Sequence, residues 1–203
     1  QSIITSRSCT GGCRGYMMYI RPKHVVASAS RLEYWHATTH GTNWVKIEST
    51  ERSAWKRTGT AAWEFNVIRF NGTDEIDFFL NGSHIGNNSS TVSMNNQNTN
   101  KPTRIGAGRT EGAVMYLFKG KIDDVAIWDE ALTNAEITEL YNNGESLYAK
   151  ENYGDYTSKD NLTAYYTMDS DNGSGTTLSD DEGSNDGSFN GEPTWSSDTP
   201  GTA

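Results

Sequence analysis

An all-β sandwich carrying one short surface helix is the fold class this sequence predicts. Three observations carry it: short apolar runs broken by Asn-Gly turns, a single segment of helical periodicity, and connections crowded with Asn, Thr, Ser and Gly. With 203 residues and 34% hydrophobic content, the chain is long enough for one β-rich domain with its own core. A mean hydropathy of -0.71 fits short strands under a polar surface.

The charge balance narrows the function classes. A formal net charge of -9 repels nucleic acid and anionic membrane, so neither is an expected partner. No run approaches the roughly 18 apolar residues of a membrane span, so membrane insertion is not expected. No charged segment leads into an apolar core as in a signal peptide. The numbering opens at Gln1 without Met, which suits a processed or truncated chain.

Taken in order, the first feature is "SCTGGC", where the glycines let Cys9 and Cys13 close a tight disulfide loop. Metal ligation is the rival reading, although two thiols without a second Cys or His pair make a poor zinc site. An oxidised pair would place the chain in an extracellular setting. Strands are then expected at "RGYMMYI" (14–20), "HVVASAS" (24–30) and "NWVKIEST" (43–50). In the last, Trp44, Lys46 and Glu48 alternate against Val45, Ile47 and Ser49, leaving one wet face. "WEFNVIRF" (63–70) and "EIDFFL" (75–80) each run into Asn-Gly, the strongest short hairpin signal.

A polar loop over 94–102 leads to a short strand at Arg104 and Ile105. A long strand pattern then ends at Trp128, with a bulge at Asp123 and Asp124. The helix signal is the clearest in the chain. Thr133 is the N-cap, Glu136 completes a capping box, Leu132 staples onto Ile137, and Gly144 closes about three turns. "LTAYYTMD" (162–169) reads as a late strand. The Gly/Ser/Asp-rich remainder has a disordered composition, but Leu178, Phe189 and Trp195 are spaced like anchors.

The order "WEFNVIRFNGTDEIDFFLNGSHIG", "TRIGAG" and "FKGKIDDVAIWDEALTNAEITELYNNG" resembles the laminin-G-like branch of the concanavalin A-like lectin/glucanase jelly rolls, over roughly residues 60 to 145. The resemblance implies a concanavalin A-like jelly-roll sandwich over 1–145, followed by residues 146–203 as a linker, late strand and loop packed on the same domain. Two departures stand out. A segment of the family's usual opening type, "LTAYYTMDSDNGSGTTLSDDEGSNDG", comes after the helix, and the leading strand is absent before Gln1. A longer parent polypeptide is the preferred explanation; the other is that the late strand fills the vacant place. This order is similar to repetitive structural proteins of marine bacteriophages.

The chemistry-bearing residues divide into four groups. Glu75 and Asp77 share a strand face as in a retaining glucanase, but Phe79 replaces the third acid, so an edge hairpin with a polar outer face and no catalysis is expected. His36 and His40 read as solvated surface. The resemblance implies calcium, whose hard oxygen ligands would come from Asp169 and Asp171 in "DSDNGSG" or from Asp123 and Asp124. Tyr34, Trp35, Trp44 and Trp55 are the candidate sugar-stacking aromatics, whereas Trp63 and Trp128 read as core. The resulting expectation is a non-enzymatic adhesive module on a phage virion surface, as capsid decoration or tail fibre. Its partners would be other virion subunits in a homo-oligomeric or repeated array, and a cell-surface glycan. The alternative is an extracellular carbohydrate-binding domain of a bacterial polysaccharide-degrading enzyme.

Overall fold

The computed structural model describes residues 1–8, 13–22, 29–38, 44–49, 52–53, 62–72, 74–89, 102–110, 113–145, 147–169, 176–191 and 193–200. Its strands are β1 (Ser2–Ser8), β2 (Arg14–Pro22), β3 (Ala29–Ala37), β4 (Trp44–Glu48), β5 (Arg52–Ser53), β6 (Asn66–Phe70), β7 (Glu75–Leu80), β8 (Ser83–Ser89), β9 (Arg104–Ile105), β10 (Gly108–Thr110), β11 (Ala113–Met115), β12 (Val125–Trp128), β13 (Leu162–Tyr166), β14 (Thr177–Leu178) and β15 (Gly187–Ser188). Helix α1 (Asn134–Tyr141) lies between β12 and β13. Mostly antiparallel strand with one short helix is the predicted class. The largest sheet has the order β4-β3-β2-β1-β9, with β5 paired to β3, and a second has the order β6-β7-β8.

Contacts divide the chain into two compact units. One comprises Gln1–Ala62, Ile68–Phe78 and Ile85–Gly120, the other Trp63–Val67, Phe79–His84 and Lys121–Ala203. In the first, Ile20, Leu32, Tyr34 and Ile47 of the large sheet pack against Ile76 and Phe78 of β7. Each such aliphatic or aromatic side chain stabilises by about 1.5–3 kcal/mol when fully buried. The β7–β8 turn has Asn81 at φ 50 and Gly82 at φ 72, the paired positive φ that an Asn-Gly hairpin supplies. The Asn71 turn differs: its side-chain oxygen accepts from the Asp74 and Glu75 amides, an Asx turn.

Strand β7 is the middle strand of its sheet, which corrects the expected edge hairpin. Asp77 is buried and holds Arg69 through Nε at 3.0 Å and a terminal nitrogen at 2.9 Å. A buried carboxylate persists because this two-pronged guanidinium pairing replaces its hydration.

In the second unit, Leu132, Ile137 and Leu140 pack with Phe79, Tyr156, Leu162 and Tyr165. The late strand β13 pairs with β12 through Val125↔Tyr166, Ala126↔Tyr165 and Ile127↔Ala164. Helix α1 starts as expected at Thr133, whose hydroxyl accepts from the Glu136 amide at 3.2 Å. It ends earlier than expected, because Asn142 takes the left-handed conformation at φ 41, a role short polar side chains tolerate. Gly144 closes a following 3-10 turn instead. The irregularity expected at Asp123 and Asp124 is also different in kind. Asp124 is left-handed at φ 49 just ahead of β12, while the ladder slips between Ile127 and Trp128.

Trp63, expected in the core, is half-buried and donates its Nε1 hydrogen to Asp198 at 3.1 Å. The C-terminal segment is built around an acid as well as its apolar anchors, Phe189 meeting Trp195 edge to face at 5.9 Å. Leu178 is buried, but Trp195 is exposed, and Asp180 accepts from the Tyr165 amide at 2.9 Å and from the Glu182 and Asn185 amides. Burial alone would raise the Asp180 carboxyl, but these donors outweigh it and hold it at about 2.

Glu136 plays the matching part at the helix start. It accepts from the Thr133 amide at 2.8 Å and the Ser158 hydroxyl at 2.5 Å, with Thr157 at 3.3 Å. Burial opposes the charge, but these hydrogen bonds prevail and hold the carboxyl at about 2, below the ordinary 4.5. A depressed carboxylate stabilises the fold above pH 4.5, and that contribution is lost as pH falls toward 2. Glu136→Gln is therefore expected to lower unfolding free energy by about 1–2 kcal/mol at pH 7 in urea titrations. The deficit should shrink at pH 2.5; a deficit unchanged by pH would refute the electrostatic account.

Candidate functional site

Strand β3 decides which side chains the large sheet presents. Successive residues of a strand point to opposite faces, so Leu32 and Tyr34 enter the core while Glu33 and Trp35 face away from it. Pairing extends both sets across the sheet. The core face carries Tyr34 between Met18 and Ile47, and the outward face carries Trp35 between Met17 and Lys46. The next outward rows are Ala37 beside Trp44 on one side and Tyr19, Glu33 and Glu48 on the other.

This register separates the four candidate aromatics. Tyr34 is buried in the core, with 8% exposure, and burial pushes its hydroxyl well above the ordinary tyrosine value. It offers no face to a sugar, a correction to the sequence expectation. Trp35 and Trp44 are half-buried on the outward face. The Trp35 indole donates to Glu33 Oε2 at 3.0 Å, and the Arg7 guanidinium carbon sits 5.0 Å from the centroid of the Trp44 ring, a cation–π contact. Trp55 lies outside the described residues. His36, expected at the surface, is buried on the core face with its ring 5.8 Å from that of Tyr34.

Glu33 and Glu48 stand directly opposite each other on β3 and β4, an arrangement that is repulsive for two bare charges. Cations surround them: Arg21 is 2.9 Å from Glu33, and Glu48 holds Arg31 at 2.8 Å and Lys46 at 2.5 Å. Burial pushes the Glu33 carboxyl up, whereas the Lys46 ammonium holds that of Glu48 down.

Sequence reasoning missed Tyr19 and Tyr116. Their rings meet edge to face at 5.9 Å, and Tyr116, in the left-handed region at φ 57, is exposed beside Val114, Met115 and Leu117. The alternation of Gly15, Met17 and Tyr19 against Tyr16, Met18 and Ile20 signals Tyr19. Nothing in the sequence signals the backbone of Tyr116.

A separate acidic cluster lies in the other unit. Asp123, Asp124 and Asp169 come from two sequence regions and act on one another: burial first, then the carboxylates of Asp124 and Asp169, pushes Asp123 up to about 7. The Tyr165 hydroxyl donates to Asp124 at 2.6 Å and the Tyr148 hydroxyl to Asp169 at 3.5 Å. Asp171 lies outside the described residues. Among those described, no group of three or more His, Cys, Asp or Glu side chains is placed to hold a metal ion. Cys13 is buried and disulfide-bonded; Cys9 lies outside the described residues.

A family model described as the concanavalin A-like lectin/glucanases superfamily matches residues 1–138. The chain belongs to this superfamily, in its laminin-G-like branch. No curated protein is significantly similar to it. Laminin-G-like domains are typically non-catalytic binding modules, although the superfamily also includes glycosidases. In this laminin-G-like chain, Glu75 accepts from Asn71 and Asn87 side-chain amides and Asp77 is held by Arg69.

The acidic cluster yields a pH prediction. The Asp123 carboxyl, at about 7 rather than the ordinary 3.8, keeps a proton that the unfolded chain releases. Its contribution to stability is full below about pH 4 and lost as pH rises through 7. Asp123→Asn removes the repelled charge and should raise unfolding free energy at pH 8 by about 1 kcal/mol, after discounting for its half-exposed position. Urea unfolding at pH 4 should show little change; an equal gain at both pH values would point to a different cause.

Proposed function

We propose that this laminin-G-like chain is a non-catalytic carbohydrate-binding module whose ligand lies across the outward face of the β4-β3-β2-β1-β9 sheet. One observation carries the reading: Trp35 and Trp44, on neighbouring strands, stand on the same outward face among Arg, Lys and Glu side chains. Indole rings stack on the apolar faces of pyranoses while charged and amide groups bond the hydroxyls. The absence of spaced, unengaged carboxylates among the described residues of this face supports binding over hydrolysis.

The carrier we propose is the virion surface of a marine phage, with many copies arrayed as capsid decoration or tail fibre. Weak single sites suffice there, because repetition raises overall avidity by orders of magnitude. The alternative carrier is a secreted bacterial polysaccharide-degrading enzyme, which the lectin and glucanase membership of the superfamily favours. The parent polypeptide separates the two: a neighbouring catalytic domain would exclude the virion.

Trp44→Ala is expected to weaken binding to glycans identified on an array by about tenfold or more, and Trp35→Ala similarly, with thermal unfolding changed little for Trp44→Ala. The measurement is titration calorimetry with the best array ligand. Unaltered affinity in both variants would remove this face as the binding site.

A further inference from the structure

The outward face of the large sheet has a charge opposite to that of the chain. Among the described residues, five cations, Arg7, Arg21, Arg31, Lys46 and Arg104, stand there with two acids, Glu33 and Glu48, a local balance of 5 − 2 = +3, whereas the whole chain has 17 − 26 = −9. The acids are the less accessible partners. The Glu33 side chain is 1% exposed, while those of Arg21, Arg31 and Lys46 are 57%, 38% and 36% exposed. A ligand therefore meets guanidinium and ammonium groups first.

Geometry turns this into a track. Arg7 and Trp44 share one end of the outward face, Trp35, Lys46 and Arg104 the next row, Tyr19 with Glu33 and Glu48 the row after, where Tyr116 packs on the Tyr19 ring, and Arg21 opposite Arg31 the far end. Rows two residues apart on a strand are separated by about 6.6 Å, so the track runs about 20 Å, the scale of an oligosaccharide rather than one sugar. Cations stand at both ends with aromatic rings between. Guanidinium groups engage carboxylates in a planar fork, and those of this face already sit 2.8–2.9 Å from the carboxylates of Glu33 and Glu48.

We infer that the ligand of this face is an anionic polysaccharide of the polyuronate class, its carboxylates meeting Arg21, Arg31, Lys46 and Arg7 while its rings stack on Trp35 and Trp44. This deepens the proposed carbohydrate binding and rests on the same face. Nucleic acid, the other common polyanion, is disfavoured because the rest of the chain is strongly acidic and repels an extended phosphate backbone.

The test is affinity electrophoresis of the full chain in gels containing polygalacturonate, dextran sulfate, neutral dextran or a single-stranded oligonucleotide, at low and high salt. The expected result is retardation by polygalacturonate that fades as salt rises, with weaker retardation by dextran sulfate and none by dextran or the oligonucleotide. Arg21→Gln with Arg31→Gln should weaken binding to polygalacturonate about tenfold, and the exposed Lys46→Gln less. Thermal melts establish that each variant is folded, and Lys46→Gln keeps the test open if the double variant is not. Equal binding of dextran and polygalacturonate would overturn the inference while leaving carbohydrate binding intact, particularly if Trp44→Ala abolishes both. Stronger binding of dextran sulfate or of the oligonucleotide would overturn the polyuronate assignment. No retention by any glycan would overturn both the inference and the reading beneath it.

Discussion

Neighbouring residues of a strand cannot share a face, and on β3 this rule sends a buried carboxylate and the two aromatic residues that follow it to alternate faces. Tyr34 joins the core, Trp35 turns outward, and Glu33 turns outward with it while remaining 1% exposed. An ionised carboxylate so shielded must be paired and hydrogen-bonded or it neutralises. Arg21 and the Trp35 indole do the pairing, and Glu48 across the ladder brings Arg31 and Lys46. The outward face is therefore organised around Glu33, which together with Glu48 holds the Trp35 indole, Arg21, Arg31 and Lys46 in place ahead of the proposed binding. Holding rotamer-rich side chains in advance lowers the entropic cost of binding.

A similar device, a carboxylate serving as a hub for donors, organises the other unit twice. An eight-residue helix is too short to persist on propensity alone. Glu136 ties its first turn to Ser158 and Thr157, so the helix start and the segment leading into β13 share one acceptor. Asp180 does the same for the loop beyond β14, whose composition suggested disorder. Few apolar side chains are needed where one acid satisfies several backbone amides, and such order is invisible to a reading that counts hydrophobic residues.

That difference explains what was legible. The capping box was readable because Thr133 and Glu136 are local and their spacing is fixed by helix geometry. The β7–β8 hairpin was readable because Asn81 and Gly82 carry their conformation with them. The outward set of Trp44, Lys46 and Glu48 was readable from strict alternation. Strand β3 carries an equally clean alternation, and following it through Leu32, Tyr34 and His36 would have placed those three inside. Long-range facts were not available to local patterns. Asp77 meets Arg69 only once β6 and β7 pair, the middle position of β7 depends on β8, and the left-handed backbone of Tyr116 has no residue signature. The nearness of Asp123 to Asp169, 46 positions away in the numbering, likewise depends on β12 pairing with β13.

The engagement of this face's side chains bears on the strength of the binding proposed for it. Its cations are engaged with Glu33 and Glu48, so a carboxylated ligand exchanges one anionic partner for another and gains only the difference. Exposed ion pairs are worth little individually in salt. The stacking rings add their area without closing over the ligand. These terms together favour modest single-site affinity with rapid release, which suits a module acting in many copies along a polymer.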